Sequence, residues 1–231
     1  MPAYRHIFFD LDHTLWDFHK NSEETLHELY HTFNLSALGA KSATAFIETY
    51  KEINHHLWDG YHKGTITKEQ LRHSRFRNAF KSSGINGEHI ADDFGNEYLR
   101  VSPTKPHLLP NAMQVLDYLS SKYTMSIITN GFAEVQFVKL KHARIEHFFS
   151  HVFISEIIGY QKPDVRIFEH ATNAVGVKPS QTMMVGDNFA TDIVGAIQAG
   201  IDHIYFNPEQ TPHNLSVQKE IFDLHELMTL L

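Results

Sequence analysis

Hydrophobic and polar positions along the 231-residue chain fall into two regimes. The chain opens with a continuous apolar run from Tyr4, with Ile7, Phe8 and Phe9 at its centre, that stops at Asp10. A short run apolar on both faces reads as a buried strand. Residues 17–105 then show helical periodicity and no convincing strand. Asn21 with Glu24 reads as a capping box opening a first helix, and a second is expected from Ser42 to Tyr61. Gly64-Thr65-Ile66-Thr67 breaks the pattern, and Thr67 with Gln70 caps a third helix ending near Ser83-Gly84. A fourth spans Gly87 to Val101, and Pro103-Thr104-Lys105-Pro106 reads as a return linker.

From Pro110 onward helices and strands alternate. Helices are expected near 111–122, 133–142, 164–175 and 190–199. Strands are expected at 123–129, 151–154, 182–186 and 203–206. This alternation implies a parallel sheet with right-handed crossovers. The fold class is therefore α/β, a doubly wound Rossmann-like parallel sheet with an inserted all-helical cap domain. Residues 1–16 and 106–231 form the core, and residues 17–105 form the insertion.

Composition narrows the chemistry. There are no cysteines, which removes disulfides, thiolate metal sites and thiol nucleophiles and fits a cytoplasmic location. There are 18 histidines, so the formal charge of −7 is soft, and adding 18 positive charges would carry it to +11. An excess of acids, 27 against 20 Lys and Arg, argues against a nucleic-acid polymer as partner. No apolar run approaches the roughly 18 residues of a membrane span, and the N-terminus does not read as a signal peptide.

Ligands of open parallel sheets bind at the carboxyl ends of the strands. Those ends carry Asp10 and Asp12, then Thr129-Asn130-Gly131, then Gly186-Asp187 with Asp192 a turn on. The loop Gln161-Lys162-Pro163-Asp164 precedes a helix. Any one of these acids alone reads as a turn residue or helix cap. Yet Asp-x-Asp-x-Thr arises by chance only about 0.04 times in a chain of this composition, and four such sites recur in order at element boundaries. The set suits phosphoryl transfer with a hard divalent cation. Asp10 supplies a nucleophile, and Asp12 gives and takes the proton. Asp10 and Asp187 offer side-chain oxygen ligands to Mg²⁺, and Asp192 either ligates directly or orients a metal-bound water. Thr129, the N–H groups near Asn130 and Gly131, and Lys162 hold phosphate oxygens.

These residues resemble the haloacid dehalogenase (HAD) superfamily. Asp10-Leu11-Asp12-His13-Thr14-Leu15 is similar to its first motif and Ile128-Thr129-Asn130-Gly131 to its second. Gln161-Lys162-Pro163-Asp164 and Gly186-Asp187 through Asp192 are similar to its third and fourth. The resemblance implies a helical C1-type cap in the insertion and adds the backbone carbonyl of Asp12 as a metal ligand. Asp12 argues for phosphate esters over carbon–halogen bonds. The segment Leu57 to Thr67, continuing to Arg75-Phe76, resembles bacterial pyrimidine 5′-nucleotidases of the superfamily, as does the Asp223-Leu224-His225-Glu226-Leu227 tail. The substrate implied is a small phosphate ester, a nucleoside 5′-monophosphate. A phosphatase or mutase acting on a sugar phosphate is the alternative.

Aromatic surface for a base is expected from Trp16, Trp58, Tyr61 and Phe76, with helix packing as the competing reading. Closure of the cap would exclude water. His13 either touches substrate or caps the segment after it. His27-Glu28-Leu29-Tyr30-His31 matches the zinc-protease pattern, but lacks a third ligand and reads as a solvated helix face. A non-enzymatic binder would not need Asp12. The oligomeric state is open, and a monomer is compatible with the sequence.

Overall fold

The computed structural model describes residues 4–214 and 216–231. Two compact units divide the chain, one of Met1–Phe18 with Pro106–Leu231, the other of His19–Lys105.

The first unit is built on a six-stranded parallel sheet ordered β3-β2-β1-β4-β5-β6. The strands are β1 (His6–Phe9), β2 (Thr124–Thr129), β3 (Phe149–Ile154), β4 (Thr182–Gly186), β5 (Asp202–Phe206) and β6 (Lys219–Ile221). β1 is central because it is apolar on both faces, and its two-residue period sorts its side chains. Ile7 and Phe9 join one core with Val115, Leu116 and Leu140. Phe8 joins the other with Ile128, Phe168 and Met184. The strand called β6 carries a single buried residue, Ile221, and no alternating pattern announces it in the sequence.

The second unit is all helical: α1 (Phe18–Thr32), α2 (Ala43–His62), α3 (Lys68–Ser82) and α4 (Ala91–Val101). Its core gathers Leu26, Phe46, Tyr50, Phe76, Phe80 and Phe94. The Thr67–Gln70 capping box forms as expected, with bonds of 3.2 and 2.8 Å. The box expected at Asn21 does not form. α1 begins three residues earlier, Asn21 is fully buried inside it, and its carbonyl accepts from Thr25 Oγ1. His27 is half-buried and His31 exposed on α1. Glu28 between them pairs with Lys105, and the only group of three metal-competent side chains among the described residues lies elsewhere.

The remaining helices belong to the first unit: α5 (Ala112–Ser120), α6 (Ala133–His142), α7 (Ser155–Ile158), α8 (Val165–Val175), α9 (Val194–Gln198) and α10 (Leu227–Leu230). The helix expected at 190–199 is two pieces, a π-helical turn Phe189–Ile193 and then α9. Among the described residues no helix is long and apolar enough to cross a membrane.

Candidate active site

Strand ends bring the acids together. Asp10 follows β1, and its N–H continues the ladder by donating to Val185 O on β4 at 2.9 Å. Asp187 follows β4 directly. β2, β1 and β4 are neighbours, and the chain leaves β1 toward opposite sides. Thr129, Asp10 and Asp187 thus end adjacent strands at a topological switch point. Asp192 reaches the same place from the π-helical turn, and such turns recur at functional sites. A Cβ on Gly186 would lie 2.2 Å from Asp192 Oδ2, so only glycine ends β4 with that carboxylate in place.

Ligand oxygens of Asp10, Asp187 and Asp192 lie within 4.8 Å of one another. Lys162 is buried among them. Its Nζ contacts Asp10 Oδ1 at 2.5 Å, Asp192 Oδ1 at 2.7 Å and the Ile128 carbonyl at 2.7 Å. Asp192 Oδ2 accepts from the Asn188 N–H, and Asp187 Oδ1 from Thr14 Oγ1 at 2.8 Å. Two carboxylates thus grip one ammonium, and Asp187 completes the acidic group beside them. Burial pushes Asp10 up to about 7, and repulsion from Asp192 adds to it against the pull of Lys162. Asp187 is raised well above the carboxylate range, first by burial and then by Asp10 and Asp192. Burial opposes the charge on Lys162, but Asp10 and Asp192 outweigh it and hold the ammonium above its usual value. An all-oxygen donor set carrying this excess of negative charge fits a hard divalent cation such as Mg²⁺, which would favour the ionised forms.

Asp12 sits apart from that cluster. Lys139 Nζ donates to both its oxygens, at 2.6 and 2.9 Å, and Gln136 Nε2 donates to Oδ2 at 3.0 Å. Burial alone would raise this carboxyl, but Lys139 and these hydrogen bonds hold it below the usual range.

The residues expected to hold phosphate are engaged with one another and with their neighbours. Thr129 Oγ1 accepts from the Gly131 N–H at 3.0 Å and from Gln136 Nε2 at 3.3 Å, so that N–H is not free in this arrangement. The Asn130 amide brackets the Lys162 backbone, donating to its carbonyl at 2.9 Å and accepting from its N–H at 2.8 Å. Its side chain is a brace for Lys162.

Two of the expected aromatic surfaces are core residues instead. Trp16 is fully buried, bridges Leu108 and underlies the Lys139 ammonium, 4.6 Å from the ring centroid. Phe76 is buried in the helical unit and stacked on Tyr50 at 5.1 Å. Trp58 and Tyr61 are half-buried on α2, their rings edge to face at 5.6 Å. His13 takes a positive φ of 66°, and its ring lies 4.8 Å from Phe18.

A family profile described as haloacid dehalogenase-like hydrolase matches residues 4–200. The chain belongs to that family. The pyrimidine 5′-nucleotidase YjjG of Escherichia coli is 31% identical over 228 residues, covering 97% of this chain and 96% of that protein. The pyrimidine 5′-nucleotidase PynA of Streptococcus pneumoniae is 30% identical, over 99% and 95%. A crystal structure of the HAD-hydrolase YfnB from Bacillus subtilis, bound to magnesium, superposes with a TM-score of 0.88 at 26% identity, covering 99% and 98%.

Within this family framework, Gln136, Lys139 and Thr14 are the residues that motif reading passed over as site components. The available signal was positional. Gln136 and Lys139 stand three apart on one face of α6, and that face also carries buried Leu140. Two long polar side chains on a buried face need partners.

Proposed function

We propose that the chain is a Mg²⁺-dependent phosphomonoester hydrolase acting on nucleoside 5′-monophosphates, pyrimidine ones foremost, through an aspartyl-phosphate. The observation that carries the reading is the separation of two carboxylates. Asp10 stands in a cage with Lys162, Asp187 and Asp192, while Asp12 is held independently by α6. The two carboxylates thus have separate partners, and bound charges would set their roles: a cation beside Asp10 would favour its ionised, nucleophilic form, and the negative phosphate would raise Asp12 toward the protonated form that serves as acid.

An oxygen of Asp10 attacks phosphorus, the ester P–O bond breaks, and the departing alkoxide takes a proton from Asp12. Water then gives its proton to the Asp12 carboxylate and attacks the acyl phosphate. The Asp10–phosphorus bond breaks and inorganic phosphate leaves. Lys162 offsets charge on phosphate and nucleophile. Mg²⁺ held by Asp10, Asp187 and Asp192, with the Asp12 carbonyl, would supply charge neutralisation and orient the phosphate. The nucleotide preference rests on the likeness to YjjG and PynA.

Asp10→Asn should lower turnover of nucleoside monophosphates at least about 10³-fold while leaving the fold intact by circular dichroism. Retained activity would refute the nucleophile. A panel of pyrimidine and purine monophosphates, ribo and deoxy, against sugar phosphates decides the substrate. Preferential hydrolysis or isomerisation of a sugar phosphate would overturn the nucleotidase reading in favour of the phosphatase or mutase alternative.

A further inference from the structure

Asp12 does not rely on the catalytic loop for its position. After β1 the chain curls: His13 N–H donates to Trp16 O at 3.0 Å, and Leu15 and Trp16 N–H both donate to Leu11 O at 2.9 Å. This turn places the Trp16 ring beneath the Lys139 ammonium while the same ammonium grips the Asp12 carboxylate. Gln136 adds the third hydrogen bond and shares its amide with Thr129 Oγ1. Both residues are buried, Gln136 completely and Lys139 to 6% exposure.

A buried lysine sacrifices hydration and side-chain freedom, so its seat must be well matched. Here three hydrogen bonds from two nitrogens meet two carboxylate oxygens, and the ammonium also lies over an aromatic face. The seat is also reserved by the backbone. A Cβ on Gly131 would fall 1.3 Å from Gln136 Nε2, so the glycine of the Thr129-Asn130-Gly131 turn leaves the space that Gln136 fills. The fold thus commits a helix face, a glycine and an indole to one carboxylate.

We infer that Lys139 and Gln136 form a clamp on α6 that positions Asp12 for both of its proton transfers, with Lys139 the dominant prong. Lys139 is a positioning residue, because it acts through Asp12. The inference rests on the phosphatase reading above. In the first half-reaction the Asp10–phosphorus bond forms, the ester bond breaks, and Asp12 gives its proton to the leaving alkoxide. In the second, water gives a proton to Asp12, its oxygen bonds to phosphorus and the Asp10–phosphorus bond breaks. Loss of the clamp should slow any step that needs Asp12 and spare any step that does not.

The two esters that separate these cases are a nucleoside monophosphate and p-nitrophenyl phosphate. An alkoxide needs the proton to leave, whereas p-nitrophenolate is stable enough to leave without it. In Lys139→Met, kcat for a nucleoside monophosphate should fall about 10–100-fold, a share of what a positioned acid–base group contributes, with KM little changed. With p-nitrophenyl phosphate the same variant should release one rapid equivalent of nitrophenolate per enzyme, followed by a slow phase. Phosphorylation then survives while attack of water does not. Lys139→Arg should recover most of the loss, and Gln136→Leu should show the same pattern more weakly. Equal losses with both esters and no burst, in variants whose melting temperatures match the parent, would overturn the inference. So would unchanged turnover in Lys139→Met. If Lys139→Met does not fold, Gln136→Leu and Lys139→Arg decide by the same burst and leaving-group contrast. Parent protein that releases phosphate from no ester refutes the phosphatase reading itself, a result seen before any variant is made.

Discussion

His6 shows how much one residue can contribute when its surroundings fix its charge. It opens β1, is 2% exposed, and its Nε2 lies 3.0 Å from Ser126 Oγ, which in turn meets Ser150 Oγ at 3.0 Å. Burial first, and the charge of His151 second, lower its pKa from 6.5 to about 4. The unfolded chain therefore binds more protons than the folded one between those values, and stability falls as pH drops from 6.5 toward 4. The full shift is worth about 3 kcal/mol, roughly a fifth to three-fifths of the stability of an ordinary domain. His6→Phe keeps a ring beside Phe8 and leaves Ser126 its bond to Ser150, but cannot titrate. Urea unfolding at pH 7, 5.5 and 4 should show the parent losing about 3 kcal/mol more than the variant. Parallel pH profiles would remove His6 as the cause.

At the scale of elements, close packing between helices does what no motif announces. Gly195 lies in α9, and a Cβ there would stand 2.3 Å from Phe168 Cε2 of α8 and 3.1 Å from Pro163 Cα. Phe168 is fully buried and cannot swing aside freely. Alanine gains about 1 kcal/mol of helix propensity over glycine, but overpacking costs roughly 1–3 kcal/mol, so the clash should win. Gly195→Ala should lower the urea midpoint, and adding Phe168→Leu should recover part of the loss. An unchanged midpoint in the single variant would mean α8 and α9 can part at no cost. What was legible in the sequence follows from the same physics. β1 reads clearly because it is apolar on both faces and ends on an acid, and the four motifs sit at element ends, where ligands bind. The start of α1 misleads because Asn21 and Glu24 mimic a capping box, although Asn21 is buried in the first turn of a helix that starts at Phe18. The π-helical turn that seats Asp192 has no signature of its own, since Phe189 to Gln198 reads as one helix. Lys139 and Gln136 escape because their role depends on where α6 lies against the first loop, which no local pattern encodes.

The whole molecule has two hydrophobic centres, one within the helical unit and one divided over the two faces of the sheet, and the proposed metal ligands belong to the sheet unit alone. Asp10, Asp187 and Asp192 are forced together beside a single lysine, and burial and mutual repulsion raise Asp10 and Asp187 against its pull. Each raised carboxyl keeps its proton in the folded state above the pH at which the unfolded chain has lost it. Without a cation, these acids therefore make the fold less stable as pH climbs from about 4 toward 7. Mg²⁺ should reverse that trend by binding only the folded state. At one hundred times its dissociation constant it adds about 2.7 kcal/mol, and in a protein of this size each kcal/mol moves the melting temperature by roughly 2–4 °C. Calorimetry at pH 7.5 with Mg²⁺ against EDTA should show that shift, and if the two units melt in separate steps, only the sheet unit's step should move. Asp187→Asn should melt higher than the parent in EDTA, because one forced charge is gone, and should lose the response to Mg²⁺. Since charge relief and metal binding act through the same three carboxylates, a variant that stays as responsive to Mg²⁺ as the parent would place the cation elsewhere.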